Sequence, residues 1–197
     1  YEQLTIRLAD HGVDALAIDY YGRTARTDVR DASFEHLRHL EQTTWQGLQV
    51  DAAAAAAELR SSRGVTSLFS TGFCFGGRVS FLLASSTDMH MAGVIGFYGW
   101  PVGPLGNGIP APAEVAGDLD APLLGIFGGA DPKIPASAVD DFEDALTAAA
   151  VEHRLVTFAG APHSFFDHQQ RDHAAVAKEA WSEVEAFVAS HTAGAEG

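Results

Sequence analysis

Five short apolar runs, at residues 14–20, 65–71, 93–98, 122–127 and 152–158, alternate with stretches of helical composition. Runs that stay apolar along their length belong to strands buried on both faces, and strands separated by helices run parallel. The pattern predicts an α/β chain: a three-layer sandwich with a mostly parallel central sheet and helices on both faces. Helices are expected over residues 2–11, over 31–62 in two pieces ending near Gly64, and over 78–86, 136–150 and 173–191. In the last of these, Val176, Ala180, Val184 and Phe187 fall near one face. The Gly- and Pro-rich stretch 99–120 reads as a loop, long enough to border a site, and 192–197 reads as a frayed tail. Neither a repeat nor a linker interrupts the pattern, so one domain is expected over 1–197.

Composition removes several function classes. At 47% hydrophobic and 19% charged residues, the chain has enough apolar material for a core. Its formal charge of −14 repels a phosphate backbone or an anionic lipid surface, so neither nucleic acid nor membrane is an expected partner. No apolar run approaches the roughly 20 residues a bilayer span needs. Cys74 is the sole cysteine, which excludes an intrachain disulfide and a cysteine-built zinc site, and a reducing, cytoplasmic setting fits. The chain opens at Tyr1 inside a helical pattern, with neither methionine nor a signal segment. The natural N-terminus is therefore expected upstream.

The chemistry concentrates in Gly72-Phe73-Cys74-Phe75-Gly76-Gly77-Arg78, between an expected strand and an expected helix. A nucleophile at the top of a sheet must sit on a sharp strand-to-helix turn, and small residues two positions to either side let strand and helix pass closely. Gly72 and Gly76 fill those positions. The turn places Cys74 at a helix N-terminus, where the dipole favours thiolate, and points the Phe75 N–H toward a developing oxyanion.

A cysteine nucleophile needs a base, and the base needs an orienting acid. This architecture predicts the chain order nucleophile, acid, histidine. Asp131 follows the fourth run in GGADPKIP, and His163 follows the fifth in GAPHSFF. Both positions are carboxyl ends of parallel strands, where ligand crevices form. Asp118 and Asp120 precede their strand and sit at the wrong end. His163, His168 and His173 are spaced five and five, which does not put three ligands on one helical face, so no metal site is expected. Phe73, Tyr98, Trp100, Phe165 and Phe166 are the aromatic residues available to line a substrate pocket, each also a candidate for ordinary core.

Taken together, DALAIDYYGR, GFCFGGR, VIGFYGW, GGADPKIP and GAPHSFF resemble the dienelactone hydrolase (carboxymethylenebutenolidase) family of α/β-hydrolases, in order from residue 1 to about 190. The resemblance implies Cys74 as nucleophile, Asp131 as acid, His163 as base and the Phe75 N–H as one oxyanion donor, with no cofactor. It also implies strands and a loop that precede residue 1 here, with a second oxyanion donor and a glutamate that meets the resting cysteine. One strand of the family sheet would lie between the 14–20 and 65–71 runs. The chain is thus expected to be part of a longer protein. Family members hold a substrate carboxylate with arginines, one shortly after the histidine. Here Asp167 stands about there, which argues against dienelactone itself. Arg23, Arg26, Arg30 and Arg38 are alternative cations, although they read as helix-surface residues.

The expected activity is hydrolysis of a small-molecule ester or lactone through a thioester acyl-enzyme, by a monomer or homodimer. The competing readings are a non-catalytic or regulatory protein keeping the fold with a reactive thiol, a redox-sensing thiol, and a peptidase or acyltransferase on the same fold.

Overall fold

A computed structural model of the chain describes residues 2–10, 12–25, 30–31, 33–105, 108–167 and 171–192. Arg26, His168 and the expected tail beyond Thr192 lie outside the described residues. The chain divides into two compact units, Tyr1–Thr66 with Leu105–Ile109 and Ser67–Pro104 with Pro110–Gly197.

The first unit holds helices α1 (Glu2–Asp10), α2 (His36–Leu40) and α3 (Trp45–Arg63). The boundaries of α3 are written in its ends. The Thr44 hydroxyl accepts a hydrogen bond from the Gly47 N–H at 3.1 Å, and Gly64 stops the helix in the left-handed region at φ 68°. Its interior is alanine-rich, with Leu48, Ala52 and Ala56 buried. Arg23, Arg30 and Arg38 each face a carboxylate, on Asp51, Asp19 and Glu35 respectively. The expected strand at 14–20 is not formed: the segment carries no ladder among the described residues, and Leu16 and Ile18 remain exposed. An apolar run supplies a strand's side chains, but a strand exists only where a neighbour takes up its backbone N–H and C=O groups in register.

The second unit is the sheet. Strands β1 (Phe69–Phe73), β2 (Gly93–Phe97), β3 (Leu123–Gly128) and β4 (His153–Phe158) run parallel in the order β1-β2-β3-β4. Helices α4 (Phe75–Leu83), α5 (Ala136–Ala148) and α6 (Ala174–His191) complete the unit. Every residue of β2 and β3 is buried, as continuous apolar runs require. Two glycines of β2 show how both faces are covered. Gly96 and Gly93 are three residues apart and point to opposite faces. A Cβ on Gly96 would overlap the Phe81 ring from α4, and one on Gly93 would come within 2.6 Å of the Phe187 ring from α6. Phe142 of α5 lies 5.3 Å from Phe81, so α4 and α5 share one face and α6 covers the other. The three-layer arrangement follows. The 99–120 stretch is not all loop, since Pro112–Asp118 winds into 3₁₀ turns.

The sharpest local constraint is the crossing of β1 and α4. A Cβ on Gly72 would overlap the carbonyl group of Gly76, whereas a Cβ on Gly76 would meet nothing within 4 Å. The second glycine required by packing is Gly77, whose Cβ would lie 2.6 Å from the Phe97 carbonyl oxygen. The sequence pattern named the pair Gly72 and Gly76; the packed pair is Gly72 and Gly77, because Gly76 contributes its backbone to the contact and its open side to solvent. Gly72→Ala should therefore cost about 2 kcal/mol or more through overpacking. Gly76→Ala should stay within about 1 kcal/mol and lean towards stabilising, since alanine is the better helix former. Denaturant midpoints of the two variants check the contrast.

Candidate functional site

Cys74 joins β1 to α4 with φ 53° and ψ −115°, a region that side chains rarely adopt. Two backbone hydrogen bonds hold it there. Its N–H donates to the Phe97 carbonyl at 2.9 Å, and its own carbonyl accepts from the Arg78 N–H at 3.2 Å. The thiol is exposed at the carboxyl end of the sheet.

Asp131 and His163 arrive from the ends of β3 and β4. The Asp131 carboxylate is fully buried, and His163 is nearly so. His163 Nδ1 donates to Asp131 Oδ2 at 2.6 Å, while Asp131 Oδ1 accepts from the Lys133 N–H at 2.8 Å. The acid therefore fixes the imidazole tautomer, leaving Nε2 to serve the thiol side. Gly128 makes this approach possible, because a Cβ there would overlap the Ala161 carbonyl and lie 2.9 Å from that of Pro162. The Ala130 N–H also donates to the Ala161 carbonyl at 2.9 Å, tying the two loops together.

The structure thus brings together Cys74, His163 and Asp131. The hydrogen bond with His163 holds the Cys74 thiol below its ordinary value of 9.0, against the opposing effect of burial. The imidazolium charge, the Phe75 N–H and the Lys133 ammonium push the same way. His163 is in turn raised above 6.5, first by its hydrogen bond with Cys74 and then by Asp131, against burial. The two shifts favour one state, thiolate beside imidazolium.

The aromatic residues expected either to line a pocket or to join the core are mostly buried. Phe73, Tyr98, Phe165 and Phe166 are all buried, whereas Trp100 keeps part of its surface open. The Tyr98 ring lies 5.0 Å from the imidazole of His163 and 5.7 Å from Phe165. Phe73 stacks on Phe97 and on Phe166. These four rings form one buried aromatic cluster, and Tyr98 packs it against His163. Of the five non-glycine residues with positive φ among the described residues, Cys74, Tyr98 and Ser164 belong to the site or adjoin it. Strain of that kind persists only where the surroundings over-determine it.

Two residues carry weight that the sequence reading did not give them. Lys133 lies close enough to act on Cys74. Arg78 is fully buried on α4, and its guanidinium donates to the carbonyls of Trp100 (3.3 Å), Gly103 (2.9 Å) and Pro110 (2.7 Å). Burial lowers its pKa to about 10. The available signal was a charge closing GFCFGGR on an otherwise apolar helix. Among the described residues, no group of three His, Cys, Asp or Glu side chains is placed to hold a metal ion. Nor is any helix among them long and apolar enough to cross a membrane.

Comparison with known proteins converges on one family. The sequence profile of the dienelactone hydrolase family matches residues 1–192. A protein of Methylorubrum extorquens provisionally named carboxymethylenebutenolidase is 33% identical over 185 residues, covering 91% of this chain and 63% of the relative. A Salmonella typhimurium protein with the same provisional name is 38% identical over 119 residues, covering 59% of this chain and 44% of the relative. The chain therefore spans less than two thirds of the length of these curated relatives. In three dimensions it is similar to a Klebsiella pneumoniae protein provisionally named dienelactone hydrolase. The TM-score is 0.85 at 29% identity, over 95% of this chain and 79% of that one.

The coupled shifts lead to a direct expectation. Alkylation of Cys74 by iodoacetamide reports thiolate, so the midpoint of its pH dependence should lie below that of an ordinary thiol. His163→Gln removes the leading cause and should move the midpoint upward. A wild-type midpoint near that of a free thiol would show that the pair is not charged.

Proposed function

The chain belongs to the dienelactone hydrolase family, and on that premise we propose that it hydrolyses small-molecule carboxylic esters or lactones, with Cys74 as nucleophile, His163 as general base and acid, and Asp131 as the orienting acid. The observation that carries this reading is the 2.6 Å hydrogen bond from His163 to the buried Asp131 carboxylate, together with the strained strand-to-helix turn that presents Cys74 on the same end of the sheet.

The steps start from the thiolate–imidazolium pair, the form that both shifts favour. The Cys74 thiolate attacks the carbonyl carbon, and the C=O electron pair moves onto oxygen. The Phe75 N–H, at the start of α4, is one donor for that oxyanion. As the intermediate collapses, the C–O bond to the alcohol breaks and His163 gives its proton to the departing alkoxide, leaving a thioester on Cys74. The neutral imidazole then takes a proton from water as that water attacks the thioester. Cleavage of the C–S bond releases the carboxylic acid and restores thiolate and imidazolium. Asp131, hydrogen-bonded to Nδ1, steadies the positive ring. The scheme needs no cofactor.

Substrate preference follows from charge. Asp167 lies four residues past His163, about where family members present an arginine to a substrate carboxylate. Arg23, Arg30 and Arg38 each already face a carboxylate. An uncharged ester or lactone suits this site better than an anionic dienelactone.

Turnover of p-nitrophenyl acetate tests the assignment. Cys74→Ala should abolish it with the fold intact by circular dichroism. Asp131→Asn should lower kcat by roughly a thousandfold or more, through the wrong imidazole tautomer. Wild-type-like turnover by the Cys74 variant would overturn the nucleophile assignment, and a wild-type chain inert to esters and lactones would favour a non-catalytic role.

A further inference from the structure

Arg78 is the costliest side chain near the site that the proposed chemistry leaves unused. It is completely buried, and burying a charge is unfavourable unless its donors are met. Here they are met by main-chain carbonyls: Nε and Nη2 donate to Pro110 at 3.0 and 2.7 Å, Nη2 to Gly103 at 2.9 Å, and Nη1 to Trp100 at 3.3 Å. A planar fork spanning several acceptors is a property of arginine that a lysine ammonium does not reproduce.

The place of this knot gives it meaning. Arg78 sits one helical turn after Cys74, and its own N–H closes on the Cys74 carbonyl. The segment it grips follows directly from β2. Phe97 accepts the Cys74 N–H, Tyr98 packs on His163, and Gly99 is pressed against the Arg78 backbone so closely that a Cβ would overlap it. Trp100 comes next along the chain and is partly exposed.

We propose that Arg78 is a positioning residue: by tying Trp100, Gly103 and Pro110 to the helix that begins at Cys74, it holds the segment 100–104 as a wall of the acyl-binding site and so sets which acyl chains are accepted. The acyl part of this inference rests on the hydrolytic reading above. The tether does not.

Arg78→Met and Arg78→Lys, made in the full chain, separate the possibilities. The first removes the charge, and the second keeps a charge without the fork, guarding against a variant that fails to fold. In both, hydrogen exchange of the Ala113 N–H, which donates to the Pro101 carbonyl at 3.0 Å, should quicken about tenfold or more, with β3 amides protected as in wild type. The pH profile of iodoacetamide labelling should be unchanged, because Arg78 does not touch the Cys74 sulfur. KM for p-nitrophenyl octanoate should rise roughly tenfold with kcat nearly preserved, and p-nitrophenyl acetate should change by less than about threefold. Unchanged exchange at Ala113 overturns the tether. Equal losses for both esters, with a displaced labelling profile, overturn the selectivity role in favour of general loosening. If wild type hydrolyses neither ester, the hydrolytic reading and the acyl claim fall together, while the exchange data still decide the tether.

Discussion

The backbone at Cys74 is held where side chains rarely go, and the site is arranged around keeping it there. At φ 53° and ψ −115° the residue is strained. What offsets the strain is a close crossing of β1 and α4, allowed because Gly72 has no side chain, together with two hydrogen bonds that grip the residue at both ends. One of these reaches Phe97 on β2, so the neighbouring strand takes part in aiming the thiol. The following residue, Tyr98, is itself at φ 38° and packs on His163. The geometry of one side chain is thereby passed, through two strained residues, to the ring beside it.

Electrostatics completes what the backbone begins. The Asp131 carboxylate has no exposed surface, and its two oxygens are taken by His163 and by the Lys133 N–H. Buried carboxylates are tolerated when they are satisfied in this way. The thiol, by contrast, is exposed. The carboxylate thus lies in the interior and the thiol at the surface.

Much of this was legible in the sequence where the signal is local. The runs at 93–98, 122–127 and 152–158 became β2, β3 and β4 within one residue at each end, because a strand covered on both faces has to be apolar throughout. The places of Cys74, Asp131 and His163 could be read because each follows an apolar run and a tight turn. What was misread depends on distant partners. The 14–20 run has strand composition and no ladder. Gly76 fits the pattern of small flanking residues, yet it is Gly77 that meets Phe97 across the sheet. Arg78 escaped because nothing in its neighbours along the chain reveals which carbonyls it reaches, 22 to 32 residues away.

The two sides of the site differ in their capacity for change. On one side, the turns bearing Asp131 and His163 interlock at Gly128, with main chain against main chain. A residue inserted in either would pull the imidazole from its acid, so divergence there is confined to substitutions that leave chain length alone. On the other side, the stretch after Trp100 is gathered by the Arg78 guanidinium and by the Ala113 N–H, which donates to the Pro101 carbonyl. Descendants of this sequence can therefore lengthen, shorten or recompose that stretch and keep the reactive centre intact. Evolutionary novelty in such a protein is expected to enter from one flank only.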